Sequence, residues 1–362
     1  MEEKIDAIID IIGDYRIEDI SLQYKTKIDK THFMRWLDQF EESDREFLVD
    51  ELLHLLPKSY LTKEYTLQVV STEFDIISSD FGYSDINLFF DETEFMDCQP
   101  AGKSQKVFLG LIEEVLNTKY GRSLSSCGTS NIKNWYYADD VLASGGTFKK
   151  DIISKINQYG GENFLDSGIR IIGSFVILHS WASKNVRFIL DKHLGKNLGS
   201  KLKFYRVSEI ENIPYVNMFT PTQKFNLVYP IKSEVGEDAL KFVEDNLNDE
   251  YEYRNEKYAF RDENYPKQES FFSSAENRVR YEQILLEKGF EIMKSVNQID
   301  AKSLRPLGMT NPSNKTLGTG THFFTWRNVS NTCPLVFWWG SNEWYPLFPA
   351  IRNSSAASDF ED

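Results

Sequence analysis

Apolar residues recur at three- and four-residue spacing through residues 1–82. Ile5, Ile8, Ile9 and Ile12 fall on one helical face. Phe33, Trp36, Leu37 and Phe40 repeat the spacing behind Thr31, a candidate cap. Ser43 and Glu46 stand as a capping box ahead of Phe47, Leu48, Leu52, Leu53 and Leu56, and Pro57 is expected to stop that helix. A further helix is expected from Thr62 to Ile77. This front of the chain reads as a helical layer or lid packed on another element.

From residue 83 the period changes. Ile86–Phe90 (INLFF) is a short unbroken apolar run and reads as a buried strand. A helix is expected from about Ser104 to Tyr120 and a strand at Trp135–Ala138. Thr147–Tyr159 reads as a helix, Arg170–Trp181 (RIIGSFVILHSW) as a strand, Ser183–Leu194 as a helix, and Leu202–Val207 as a strand. Strands alternating with helices at this spacing predict βαβ units. The expected fold class is α/β, a parallel twisted sheet with right-handed crossovers and a site at the carboxyl ends of its strands.

This core is expected to occupy 83–235. Beyond it, 236–268 is acidic and tyrosine-rich, and Ser273–Val296 has helical period through Val279, Ile284, Leu285 and Phe290. A Pro/Gly/Asn-rich stretch (RPLGMTNPSNKTLGTGTH) leads into an aromatic tail over Phe323–Phe348. The expected divisions are a helical extension (1–82), the core (83–235), an aromatic-rich α+β C-terminal extension (236–350) and a disordered tail (351–362). Phe323, Phe324, Trp326, Phe337, Trp338, Trp339, Trp344, Tyr345 and Phe348 could stack a base. Packing is the favoured reading of that cluster.

Composition narrows the setting. The chain has 362 residues, 41% hydrophobic and 27% charged, which is a globular balance. Its 41 Lys and Arg against 55 Asp and Glu leave a net charge of −14, which argues against a general coat for nucleic-acid backbones. Three scattered cysteines (Cys98, Cys127, Cys333) build neither a disulfide framework nor a zinc knuckle. No apolar run reaches membrane-spanning length, and the acidic N-terminus has no secretion-signal pattern. A cytoplasmic protein with no membrane association is expected.

One segment carries chemistry. Ala138–Phe148 reads ADDVLASGGTF: two acids at the end of an aromatic strand, then Ala143, Ser144, Gly145, Gly146 and Thr147 before a helix. An ordinary strand–turn–helix junction, with Asp140 forming the turn and Thr147 the cap, is the plain alternative. The glycines, however, let backbone approach an anion closely. The following helix points its N–H groups and dipole at that anion, and the Ser144 and Thr147 hydroxyls add donors. Asp139 and Asp140 would sit a ribose length away, where paired carboxylates accept from 2′ and 3′ hydroxyls and stabilise positive charge at C1′. The expected ligand is a 5′-phosphorylated pentose.

This segment resembles the phosphoribosyl-pyrophosphate (PRPP) loop of type I phosphoribosyltransferases. The resemblance implies that Asp139 and Asp140 are the catalytic ribose acids and that Ala143–Thr147 hold the 5′-phosphate. It also implies a parallel α/β fold and Mg²⁺ on the pyrophosphate. Such enzymes carry a pyrophosphate loop after the first core strand. Gly102, Lys103 and Ser104 are the candidates for it here, with Lys103 as the cation; no metal ligand is assigned. The same residues could be a plain helix start, and a nucleotide P-loop is disfavoured because Asp97 stands where its first glycine belongs. The stretch between Tyr120 and Asp139 is shorter than in most type I enzymes, and no base-recognition hood is identifiable. The helical front and aromatic tail could supply one.

Other candidates are weaker. His179, at the carboxyl end of the strongest strand, could act as an acid or ligand. Asp91, Glu92, Glu94 and Asp97 could hold Mg²⁺ or simply form a solvated acidic loop. More broadly, FMRWLDQFEESDREFLVDELL, the loop, and RPLGM…NTCPLVFWW…EWYPLF resemble bacterial phosphoribosyltransferase-like proteins of antiphage conflict systems. That resemblance implies an effector acting at ribose C1′ by transfer or glycosidic cleavage. The alternative is an inactive module that senses PRPP or a nucleotide. The expected partners are PRPP or a nucleotide, with a defence-complex protein or a second copy of the chain.

Overall fold

The structure, a computed structural model, describes residues 1–19, 27–101, 103–214, 225–246, 256–296, 304–341 and 343–350. The expected tail at 351–362 and part of the tyrosine-rich stretch lie outside these residues. In chain order the elements begin with α1 (Glu2–Ile12), α2 (Lys30–Leu37), α3 (Glu42–Ser59), β1 (Tyr60–Leu61), α4 (Lys63–Asp80), α5 (Ile86–Asp91) and β2 (Thr93–Phe95). Then come α6 (Ser104–Val115), which runs on as a π turn to Tyr120, β3 (Asn134–Leu142), α7 (Gly146–Tyr159), α8 (Asn163–Asp166), β4 (Arg170–His179), α9 (Ser180–Leu194) and β5 (Leu202–Ile210). The chain continues through β6 (Leu227–Val228), α10 (Glu237–Asn246), α11 (Ala275–Ser295), β7 (Gly320–Thr321), β8 (Phe324–Thr325) and α12 (Leu335–Trp338).

Two compact units result: Glu64–Glu209, and Met1–Lys63 with Ile210–Asp362. This grouping differs from the division drawn on sequence. α4 joins the sheet, and the chain from Ile210 joins the N-terminal helices.

The first unit is α/β, as its alternating pattern implies. Its sheet has the order β2–β3–β4–β5, with β2–β3 and β3–β4 parallel. β3 and β4 are buried along most of their length, as strands covered on both faces must be. On one face Trp135, Tyr137 and Phe175 pack against Phe148 of α7 and Val186 of α9. On the other, Tyr136 and Phe95 meet Phe74 of α4, which also packs on Phe90. Asn134 pairs with Arg170 and Asp139 with Phe175, which sets how far the two strands run toward the site.

Several expectations need correction. Ile86–Phe90 is not a strand but most of α5. Asp85 caps it by accepting from the Asn87 amide at 2.9 Å, and the first strand is Thr93–Phe95. A short apolar run fits either element, and the cap decides. β3 continues beyond Ala138, so both aspartates lie within the strand. β4 ends at His179, and α9 takes Ser180 and Trp181. Asp29, not Thr31, caps α2 through the His32 amide (2.9 Å). α3 starts at Glu42, so Ser43 and Glu46 are inside it and form no capping box. Pro57 does not stop α3, which runs on to Ser59. A proline in the last turn removes only one donor of a ladder about to end.

The second unit buries the aromatic tail. Trp36 stacks on Phe337 (5.9 Å) and donates its indole N–H to the Val336 carbonyl (2.9 Å). Phe348 stacks on Phe324 (4.3 Å), and β1 pairs in parallel with β8. Phe323, Trp326, Trp338 and Trp344 are buried as well. These rings are core, so they are not a platform for a base. Within α11, Arg278 is 1% exposed and donates to Glu269 (2.8 Å), Glu282 (2.9 Å) and two carbonyls. Among the described residues no helix is long and apolar enough to cross a membrane.

Candidate functional site

The site lies where β3 ends. Leu142 closes the strand, Ala143 and Ser144 turn, and Gly145 opens α7 with φ +78°. A Cβ on Gly145 would lie 2.3 Å from Val186 Cγ2, so both conformation and space require glycine here. Phe148 is buried and pins the first turn of α7, while Ser144 and Thr147 are exposed. Ser144 Oγ accepts from the Gly146 amide at 3.2 Å. No acidic side chain occupies the first turn, so the positive end of the α7 dipole is not offset by the helix itself. Such a start can hold a phosphate-sized anion.

Asp139 is 8% exposed, and Asp140 is half-buried. The Asp139 carboxylate accepts from Ser104 Oγ (2.6 Å), from Gln99 Nε2 (3.1 Å) and from the Asp140 amide (2.9 Å). Ser104 is the first residue of α6, and Lys103 is its exposed N-cap residue. The structure therefore brings the start of α6 against the first acid of the ADDVLASGGT segment. Gly102 lies outside the described residues.

Four residues that sequence reasoning gave no role complete the cluster. Gln99 Nε2 also donates to Tyr137 Oη (2.8 Å), and Tyr137 Oη donates to Asp151 Oδ2 (3.0 Å). Burial, with Asp139 nearby, pushes the Tyr137 phenol up, so it stays a donor. Burial also raises the Asp151 carboxyl. Buried Gln105 orders the approach to α6, its Oε1 accepting from the Cys98 and Gln99 amides (2.9 and 3.0 Å). The only local signal for Tyr137 is that it shares a strand face with Asp139 two residues on.

Among the remaining candidates, His179 ends β4 one residue past Leu178, the partner of Leu142. Burial pushes the fully buried His179 imidazole down to about 3, which disfavours its cationic form. Asp91 pairs with Arg122, Glu92 with Lys133, Glu94 with Lys155 and Asp97 with Lys106. The acidic loop thus spends its charge on separate cations. Among the described residues no group of three or more His, Cys, Asp or Glu side chains is placed to hold a metal ion.

A buried carboxyl went unnoticed in the sequence. Glu73 of α4 lines a cavity of about 340 Å³ with Tyr65, Val69, Ile76 and Tyr205. Burial raises it to about 7, and Tyr136 Oη donates to it at 3.4 Å. An acid at the centre of a helix carries no positional mark of its burial.

No curated protein and no solved structure matches the chain. A family model, PRTase-CE, matches residues 33–350 and so spans both compact units. With a parallel α/β sheet carrying the acidic pair ahead of a glycine-started helix, the chain belongs to the PRTase-CE family and is a phosphoribosyltransferase-like protein.

Proposed function

We propose that this chain binds a 5-phosphoribosyl group, delivered as PRPP or as a 5′-phosphorylated nucleotide, and acts at ribose C1′. The observation that carries the reading is the 2.6 Å hydrogen bond from Ser104 to Asp139, which sets two helix starts beside one acidic pair. The segment Ala143–Thr147 takes the 5′-phosphate on the amides and hydroxyls at the start of α7. Asp140, the more exposed acid, and Asp139, through the oxygen position beyond its protein partners, accept from the ribose hydroxyls. Lys103, with the start of α6, takes the pyrophosphate. On the pyrophosphate beside Lys103, bound Mg²⁺ would add to the neutralisation of charge on the leaving group.

The bond from C1′ to the pyrophosphate oxygen, or to a base nitrogen, breaks with its electron pair leaving on that atom. The carboxylates stabilise the positive charge that develops at C1′. A base nitrogen or water then donates the new pair, and the proton it sheds goes to the departing pyrophosphate or base. The connection from Tyr120 to Asn134 holds a single 3₁₀ turn, Leu124–Ser126, and this brevity favours hydrolysis or sensing over transfer, since a covering loop is what excludes water. The biological setting we assign is an effector in bacterial antiphage defence.

The double variant Asp139→Asn/Asp140→Asn tests the reading. Calorimetry with Mg²⁺–PRPP should show binding to the native protein and none to the folded variant, and nucleotide turnover should vanish with it. A folded variant that binds PRPP as tightly as the native protein defeats the assignment.

A further inference from the structure

Asp139 is held by a chain of groups outside both anion-binding segments. A carboxylate at Asp151 only accepts, so the Tyr137 hydroxyl hydrogen points to it and the oxygen lone pairs face Gln99. Gln99 must then present its NH₂ group, not its carbonyl, and both N–H bonds are used: one on Tyr137, one on Asp139. The amide orientation is thus set from Asp151 outward. On Asp139, Oδ1 accepts from Ser104 and from the Asp140 amide, and Oδ2 accepts from Gln99. Of about four lone-pair positions on a carboxylate, the described contacts fill three, and a sugar hydroxyl would take the fourth.

The chain also has ends that matter. Asp151 is on α7, behind the Gly145–Thr147 start, and Gln99 is in the segment that enters α6. Tyr137 is fully buried, with its ring edge-on to Phe148 at 4.9 Å. A buried hydroxyl is tolerated only when bonded, and this one is bonded on both sides.

We propose that Gln99, Tyr137 and Asp151 form a positioning relay, which fixes the Asp139 carboxylate for the ribose. The proposal rests on the reading of Asp139 and Asp140 as the ribose acids. None of the three residues touches the reacting atoms; they act through Asp139.

The test uses the full chain and two probes, Mg²⁺–PRPP and inorganic phosphate. Tyr137→Phe keeps the ring and removes the link. It should weaken PRPP by about tenfold, the loss of one well-placed hydrogen bond, and change phosphate affinity less than about twofold. Asp151→Leu should do the same, whereas Asp151→Asn retains an acceptor for Tyr137 and should bind nearly as the native protein does. Tyr136→Phe, an equally buried hydroxyl on the opposite face, is the control and should leave PRPP binding in place. Folded Tyr137→Phe protein with native PRPP affinity overturns the relay. If Tyr137→Phe does not fold, Gln99→Leu takes its place with the same expectations. If the native protein binds no PRPP, the ribose-site reading fails instead. The relay is then judged by the ¹⁵N-resolved side-chain amide of Gln99: a resonance unmoved by Tyr137→Phe overturns it, and a displaced one upholds it as the device that holds Asp139.

Discussion

Ser104 donates its hydroxyl hydrogen to Asp139 across 2.6 Å, joining the first residue of α6 to the carboxyl end of β3. Every other group on that carboxylate is an N–H donor, so Ser104 is its one hydroxyl partner among the described contacts. Ser104→Ala removes it and leaves the acid partly buried with one donor fewer. A loss of roughly 1–2 kcal/mol in ligand binding is expected, about five- to thirtyfold in Kd for Mg²⁺–PRPP by calorimetry. Native affinity in the alanine variant would show that the contact is incidental.

Gly145→Ala should destabilise the sheet-bearing unit by about 1–3 kcal/mol. The φ of +78° strains any L side chain, and the new Cβ meets Val186 at 2.3 Å. Urea unfolding measures the loss. Val186→Ala in the same chain should recover only part of it, because room is restored while backbone strain remains.

Glu73 sets a pH dependence. Its carboxyl is raised to about 7 from an ordinary 4.5, so the folded state holds a proton that the unfolded state has released. Stability from this group is therefore present below the unfolded value and lost as pH rises from about 4.5 through 7, by up to ~3 kcal/mol. Glu73→Gln should flatten this fall and be more stable than the native protein at pH 8. Equal slopes for the two proteins between pH 5 and 8 would show that Glu73 does not titrate there.

Arg278→Met strips the cation from Glu269 and one of two cations from Glu282, which keeps Arg261 at 3.2 Å. Leaving Glu269 buried without its cation makes this costly, about 3–5 kcal/mol. Replacing the whole set, Arg261 included, by apolar residues of similar volume should cost less than the single change. Denaturant midpoints of the two variants decide it.

Legibility in the sequence followed the range of the interaction. The alternation of strands and helices over Trp135–Val207 was readable because periodicity is local. Ile86–Phe90 misled because five residues give too few turns to show a period, and the deciding cap, Asp85, lies outside the run. Pro57 misled for the opposite reason: its local rule is sound, but near a helix end the penalty is small. In the candidate site, the glycine-started helix was legible from SGGT. Gln99, Tyr137 and Asp151 were not, since nothing in their neighbours marks a glutamine, a strand tyrosine and a helix aspartate as partners.

By itself, the order of residues determined the α/β class, the strand that carries the two aspartates, and the turn that must be glycine. Each follows from constraints acting within a few residues: side-chain period, left-handed φ and helix starts. Only the tertiary structure decided that Ser104 would meet Asp139, 35 residues away. It also decided that the aromatic tail would be core and that Glu73 would be buried. Those outcomes depend on strand register and on which helix covers which face, and the burial free energy that selects them is shared among residues distant in the chain.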